Sequence, residues 1–92
     1  MNSIISEKRE CYFCGRTDML ECHHIFMGNR HRKLADEDGL VVWLCANHHR
    51  LSNNSVHMNV AMREELQKVG QEKYLESHSM EEWMARYGKN YL

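Results

Sequence analysis

Apolar and polar positions along this chain change period twice, and each change predicts an element. Residues 18–26, DMLECHHIF, read as a strand. Leu20, Cys22, His24 and Phe26 would share one face, and Met19, Glu21, His23 and Ile25 the other. A polar stretch, residues 27–38, is expected to be a loop. Leu40 to Leu44, LVVWL, follows Gly39 and gives the clearest strand signal, with β-branched and aromatic residues at its centre. From Cys45 to about Asn53 a tight turn should lead into a short helix.

Beyond residue 58 the spacing becomes helical. Met62, Leu66 and Val69 form one apolar stripe within residues 58–77, with Gly70 expected either to break or to kink that helix. Ser79 followed by Glu82 is a capping box, so another helix should start near Met80, with Trp83, Met84 and Tyr87 on its apolar face and Gly88 at its C-cap. The methionines and aromatics of this half are expected in the core. Residues 1–10 are polar and read as a loose leader.

The expected class is α+β: a small two-strand and helix unit over residues 11–57, followed by a helical extension over 58–92, in one domain of 92 residues. A chain this short buries a modest core and gains from a staple. Proline is absent, and no repeat or low-complexity tract interrupts the chain. No apolar run reaches membrane-spanning length, and the N-terminus lacks a signal-peptide pattern, so an intracellular (cytoplasmic), soluble protein with no membrane partner is expected.

The four cysteines change the picture. Cys11-x-x-Cys14 is answered by Cys45-x-x-His48. Paired thiolates across tight turns are zinc spacing rather than a secreted disulfide framework, so these four residues are expected to bind a structural zinc. Cys22 reads as a small core residue, although it could replace His48 as a ligand. The formal net charge is −1, which announces no nucleic acid. Local charge is more telling: Arg30, Arg32 and Lys33 cluster around His31 and offer phosphate contacts, whereas the alternative is an ordinary solvated loop.

Histidine carries the remaining chemistry. Seven occur in the chain, with His23-His24 and His48-His49 adjacent and His57 nearby. Neighbouring strand residues point to opposite faces, but at a strand end one imidazole can hold a metal while the other faces a substrate. A phosphodiester needs an activated water, charge neutralisation at phosphate and help for the leaving oxygen. A histidine base, with its pKa near neutrality, and one divalent ion could supply these.

The order of histidine pair, strand, C-x-x-H, His and a further His or Asn resembles the HNH (ββα-metal) endonucleases, whose metal site is often built beside a treble-clef-like zinc clamp. The resemblance implies that His23, in ECHHIF, binds the catalytic metal and that His24 is the general base. In LVVWLCANHHRLSN it implies His49 as the next metal ligand, with Asn53 one helical turn on as the last. His57 is the rival for that place, because Asn53-Asn54-Ser55 could end the helix and swing His57 back. HHIFMGNRHRKLADEDGLVVWLC, the later VHMN and the ending GKNYL further resemble phage recombination-enhancement nucleases, which cut DNA held in RecA filaments.

That resemblance implies DNA and a RecA filament as partners. Where HNH enzymes often carry a supporting asparagine before the second strand, this chain has Asp38-Gly39-Leu40, and Asn29 is a candidate substitute. Imidazole ligands favour Zn, Ni or Co by affinity, while availability favours Mg or Mn. Two other expectations compete with the nuclease: a noncatalytic zinc-ribbon module binding nucleic acid or protein, and a metalloregulator that senses metal through the histidines.

Overall fold

The computed structural model describes residues 2–92. Strand β1 (Leu20–His24) pairs antiparallel with β2 (Val41–Cys45), and the register sets Leu20 opposite Cys45, Cys22 opposite Trp43 and His24 opposite Val41. The strand is shorter than expected at its start because Met19 takes a left-handed φ of 55°. Ile25 and Phe26 run off its end, and both are buried. Alternation fails there because Ile25 still donates a backbone hydrogen bond to Leu40 while Phe26 turns into an aromatic cluster.

The segment expected to be a polar loop is a helix instead. α1 spans Asn29–Asp38, and it carries good helix formers in Arg30, Arg32, Lys33, Leu34 and Ala35. Ala35 is fully buried and Leu34 packs against the core, so two apolar side chains suffice to seat it. Its start gives no capping signal, since Gly28 offers no side chain, and polarity then mimics a loop. Gly39 closes it in the left-handed conformation, donating its N–H to the Ala35 carbonyl. A Cβ on Gly39 would also lie 3.0 Å from the Asn2 carbonyl oxygen.

The leader expected to be loose is stitched along β2. Ile4 donates to the Gly39 carbonyl at 3.0 Å, the Ser3 hydroxyl to that of Val41, and Tyr12 to that of Trp43 at 2.9 Å. Arg9 lies over the Trp43 ring, 4.8 Å from its centre. These contacts cover the outer edge of a sheet that has only two strands.

α2 (Val60–Leu75) is capped by the Asn59 side chain and passes through Gly70 without a break. The glycine is there for close approach: a Cβ would lie 3.0 Å from the Phe26 ring. Leu66, Gln71 and Tyr74 join Gly70 on the buried face, whereas Val69 and Met62 are only half-buried. α3 (Met80–Tyr87) begins at the Ser79–Glu82 capping box and ends at Gly88 in the left-handed region. Trp83 and Tyr87 are buried, but Met84 is 40% exposed and Met80 41%, so neither methionine belongs to the core.

Phe26 sits 5.0–5.2 Å, ring centre to ring centre, from Trp83, Tyr87 and Tyr91, which binds the strand unit to the C-terminal helices. Gln71, buried, donates to Asn90 at 2.9 Å and accepts from the Tyr91 N–H at 2.7 Å, fixing the chain end. α1 is held to α3 by Asp38, which accepts from Arg86 Nε at 2.9 Å and the Tyr87 hydroxyl at 2.7 Å. Among the described residues, no helix is long and apolar enough to cross a membrane.

Candidate metal centre

Two groups of side chains converge at opposite ends of the β2–turn junction. The first is Cys11, Cys14, Cys45 and His48, whose ligand atoms all lie within 4.8 Å of one another. Cys14 Sγ and Cys45 Sγ are 3.8 Å apart, Cys11 Sγ and His48 Nδ1 3.8 Å, and Cys45 Sγ and His48 Nδ1 3.2 Å. Two thiolates each about 2.3 Å from one tetrahedral ion would sit about 3.8 Å apart. The donor set and spacing are therefore compatible with a structural zinc ion. Burial pushes the Cys11 thiol up, but the amides of Cys45, Cys14 and Phe13 outweigh it and bring it down to about 6, toward the thiolate that a metal needs. Cys22 lies outside this set, on the strand face away from Glu21 and His23, so it does not stand in for His48.

The second group is His23, His49 and His57, again with ligand atoms within 4.8 Å. β2 ends at Cys45, and a single wide helical turn, Asn47–Leu51, carries His48 and His49 at successive positions. His48 reaches into the thiolate group and His49 into the histidine group. Ser52 is extended, with φ −124° and ψ 168°, so the helix stops before Asn53 can stand one turn above His49. The chain then folds back: Val56 donates to the His48 carbonyl at 2.9 Å and His57 to that of His49 at 3.3 Å. That return brings the Nε2 atoms of His57 and His49 to 3.1 Å. Two nitrogens about 2 Å from one tetrahedral ion would be about 3.3 Å apart. Asn53 is exposed and does not line the histidine cavity, so of the two rivals it is His57 that the fold brings beside His23 and His49.

His23 is 2% exposed, and its Nε2 is buried without a hydrogen-bond partner. Burial, with the nearby charges of His49 and His57, lowers its pKa to about 3, so the imidazole is neutral at physiological pH. A neutral, orphaned imidazole nitrogen beside two others is the donor set that a divalent ion completes. The residues present fit such an ion.

Glu21, which the strand pattern places two positions before His23 on the same face, has a site role that the pattern does not reveal. Its carboxylate accepts from His49 Nδ1 at 2.7 Å and from Arg50 Nε and Nη2 at 3.0 and 2.8 Å. Arg50 and His49 together hold the carboxyl at about 2, well below its usual range. The contact fixes His49 with Nδ1 toward Glu21 and Nε2 toward the other imidazoles. A carboxylate two residues upstream of a histidine pair was the available signal.

The histidine group opens into a cavity of about 390 Å³ lined also by Cys22, His24, Gly28, Asn29 and Arg32. His24 ends β1 and faces this cavity beside His23, while its Nε2 lies 3.1 Å from Asp36 Oδ1 on α1. Asn29 lines the cavity too, but its side chain makes no hydrogen bond among the described residues, so it is Asp36, not Asn29, that hydrogen-bonds His24. Arg32 and Lys33 line an adjoining groove with His24, Asn29 and Asp36, whereas Arg30 lines neither. No protein-family profile, curated protein or solved structure matches the chain.

Proposed function

We propose that this protein is a metal-dependent DNA endonuclease, a ββα-metal unit stapled by a structural zinc on Cys11, Cys14, Cys45 and His48. The observation that carries the reading is the buried, unpartnered Nε2 of His23, set with His49 and His57 in a cavity that His24 also lines. A zinc-binding interaction module needs the thiolate group but has no use for three more imidazoles opening onto a common cavity.

In this reading His23, His49 and His57 would hold a divalent ion, which would supply charge neutralisation for the phosphodiester. His24 takes a proton from an attacking water. Its Nε2 is engaged by Asp36, so Nδ1 is the nitrogen that accepts. The water oxygen bonds to phosphorus, the phosphorus–oxygen bond to the leaving sugar breaks, and the leaving oxygen gains a proton from solvent. Arg32 draws the DNA backbone to the cavity mouth, and Lys33 extends that contact along the adjoining groove. DNA presented on a RecA filament is the substrate form suggested by the resemblance to recombination-enhancement nucleases.

The test is plasmid nicking across Mg, Mn, Co, Ni and Zn, with RecA-coated and naked DNA compared. His24→Ala should lose cleavage by about two to four orders of magnitude, the scale of general-base catalysis, while retaining both metals. Unaltered cleavage by His24→Ala, or none by the unmodified protein with any ion, refutes the reading. Absence of cleavage together with a single bound metal would favour the noncatalytic module.

A further inference from the structure

Asp36 is a residue whose local position is unfavourable and whose one polar partner among the described residues is His24. It lies in the last turn of α1, where Asp36, Glu37 and Asp38 follow one another and the turn itself carries no basic residue. Negative charge there opposes the helix dipole. Glu37 and Asp38 are compensated, since both pair with Arg86 and Asp38 also accepts from Tyr87. Asp36 makes neither of the ion pairs its own helix offers, with Arg32 four residues before it or Lys33 three before it. Among the described residues its carboxylate has one hydrogen-bond partner, His24 Nε2 at 3.1 Å.

The surroundings make that contact more than an exposed ion pair. α1 is fixed at its C-terminal end by the Gly39 cap and the Arg86–Tyr87 clamp, which places Asp36 on a rigid element. The same helix contributes Asn29 and Arg32 to the cavity. His24 is mostly covered, its side chain 17% exposed, so its ring has few competing solvent contacts, although Asp36 itself is 72% exposed. Holding one ring nitrogen fixes both the orientation of the imidazole and the nitrogen left to accept a proton.

We infer that Asp36 is a positioning residue for His24, forming an Asp–His pair that aims Nδ1 of the base into the histidine cavity. The inference rests on the endonuclease reading and names a residue that acts through the base, at the edge of the groove that Lys33 also lines. Asp36→Ala should lower kcat about 5- to 30-fold, a range reduced for the exposure of the carboxylate, with KM unchanged. Asp36→Asn retains an oxygen that can accept from Nε2–H, and should recover part of that loss. Both variants should keep metal at the histidine group. Their Tm should be unchanged or higher, because a charge opposing the helix dipole has gone.

Two measurements decide the matter. The first is steady-state cleavage by the full chain and the variants Asp36→Ala, Asp36→Asn and His24→Ala, with Tm beside each. The second is ¹⁵N-edited NMR of the imidazoles, in which the His24 Nε2–H proton should be protected from exchange in the unmodified protein and lost from view in Asp36→Ala. Full kcat in Asp36→Ala with an inactive His24→Ala overturns the inference and leaves the nuclease reading standing. A fall in kcat matched by a fall in Tm, or a rise in KM alone, also overturns it, the first as a structural role and the second as a substrate contact. An active His24→Ala removes the reading itself, and with it this role.

Discussion

Glu21→Ala tests whether the histidine group is a metal site built with support behind its ligands. The Glu21 carboxylate is 2.7 Å from His49 Nδ1, and it stays ionised down to about pH 2 because Arg50 and His49 hold it there. Removing it frees the His49 ring to rotate and withdraws the negative charge that strengthens its donor nitrogen. Loss of such a partner typically costs 10- to 100-fold in metal affinity. At about 1.4 kcal/mol per decade this is about 1.4–2.7 kcal/mol. The lower half of the range is expected here, since Glu21 is 30% exposed and water can replace part of the contact, while His23 and His57 keep their places.

Arg50, left without its partner, is 53% exposed, so water replaces the contact and the fold loses little. The assay is calorimetric titration of Ni²⁺ into protein whose thiolate group is already filled with zinc. Glu21→Gln, which keeps an acceptor but not the charge, should lose less than Glu21→Ala. An Ala variant with unchanged Ni²⁺ affinity would sink the argument, and so would one that sheds zinc, because the effect would then pass through unfolding.

Cys11→Ser should lose zinc and folded structure together, since metal binding at such a site is coupled to folding; full thermal stability of that variant after chelation would show that the group is no clamp. His57→Ala should weaken divalent-ion binding at the histidine group, while Asn53→Ala should leave it unchanged, and the opposite order in calorimetry would restore Asn53 as the ligand. Arg32→Ala should weaken DNA binding to all sequences alike and lower the salt slope by about one, with Arg30→Ala having the smaller effect. Equal slopes for the two variants would separate DNA contact from the cavity.

What the sequence by itself determined is local chemistry. The cysteines three positions apart in CYFC, and Cys45 three before His48, point to a group that could hold a metal, because a tight turn brings such neighbours together whatever the rest of the chain does. The Ser79–Glu82 box and the LVVWL run likewise specify a helix start and a strand through bonds and packing that span a few residues. α1 escaped because its helical signal is two apolar residues and a C-terminal glycine, with the start uncapped. The histidines themselves stood out in the sequence, but the tertiary structure chose between His57 and Asn53 and supplied the carboxylates beside them. His57 joins His49 from eight residues away through a loop that doubles back, Asp36 reaches His24 across 12, and Glu21 meets His49 across 28. Each contact is made between elements or across the break after Leu51, not along one helix or strand. They are set by where the wide turn stops, by the seating of α1, and by the junction of the sheet with that turn, and each depends on core contacts that no local pattern encodes.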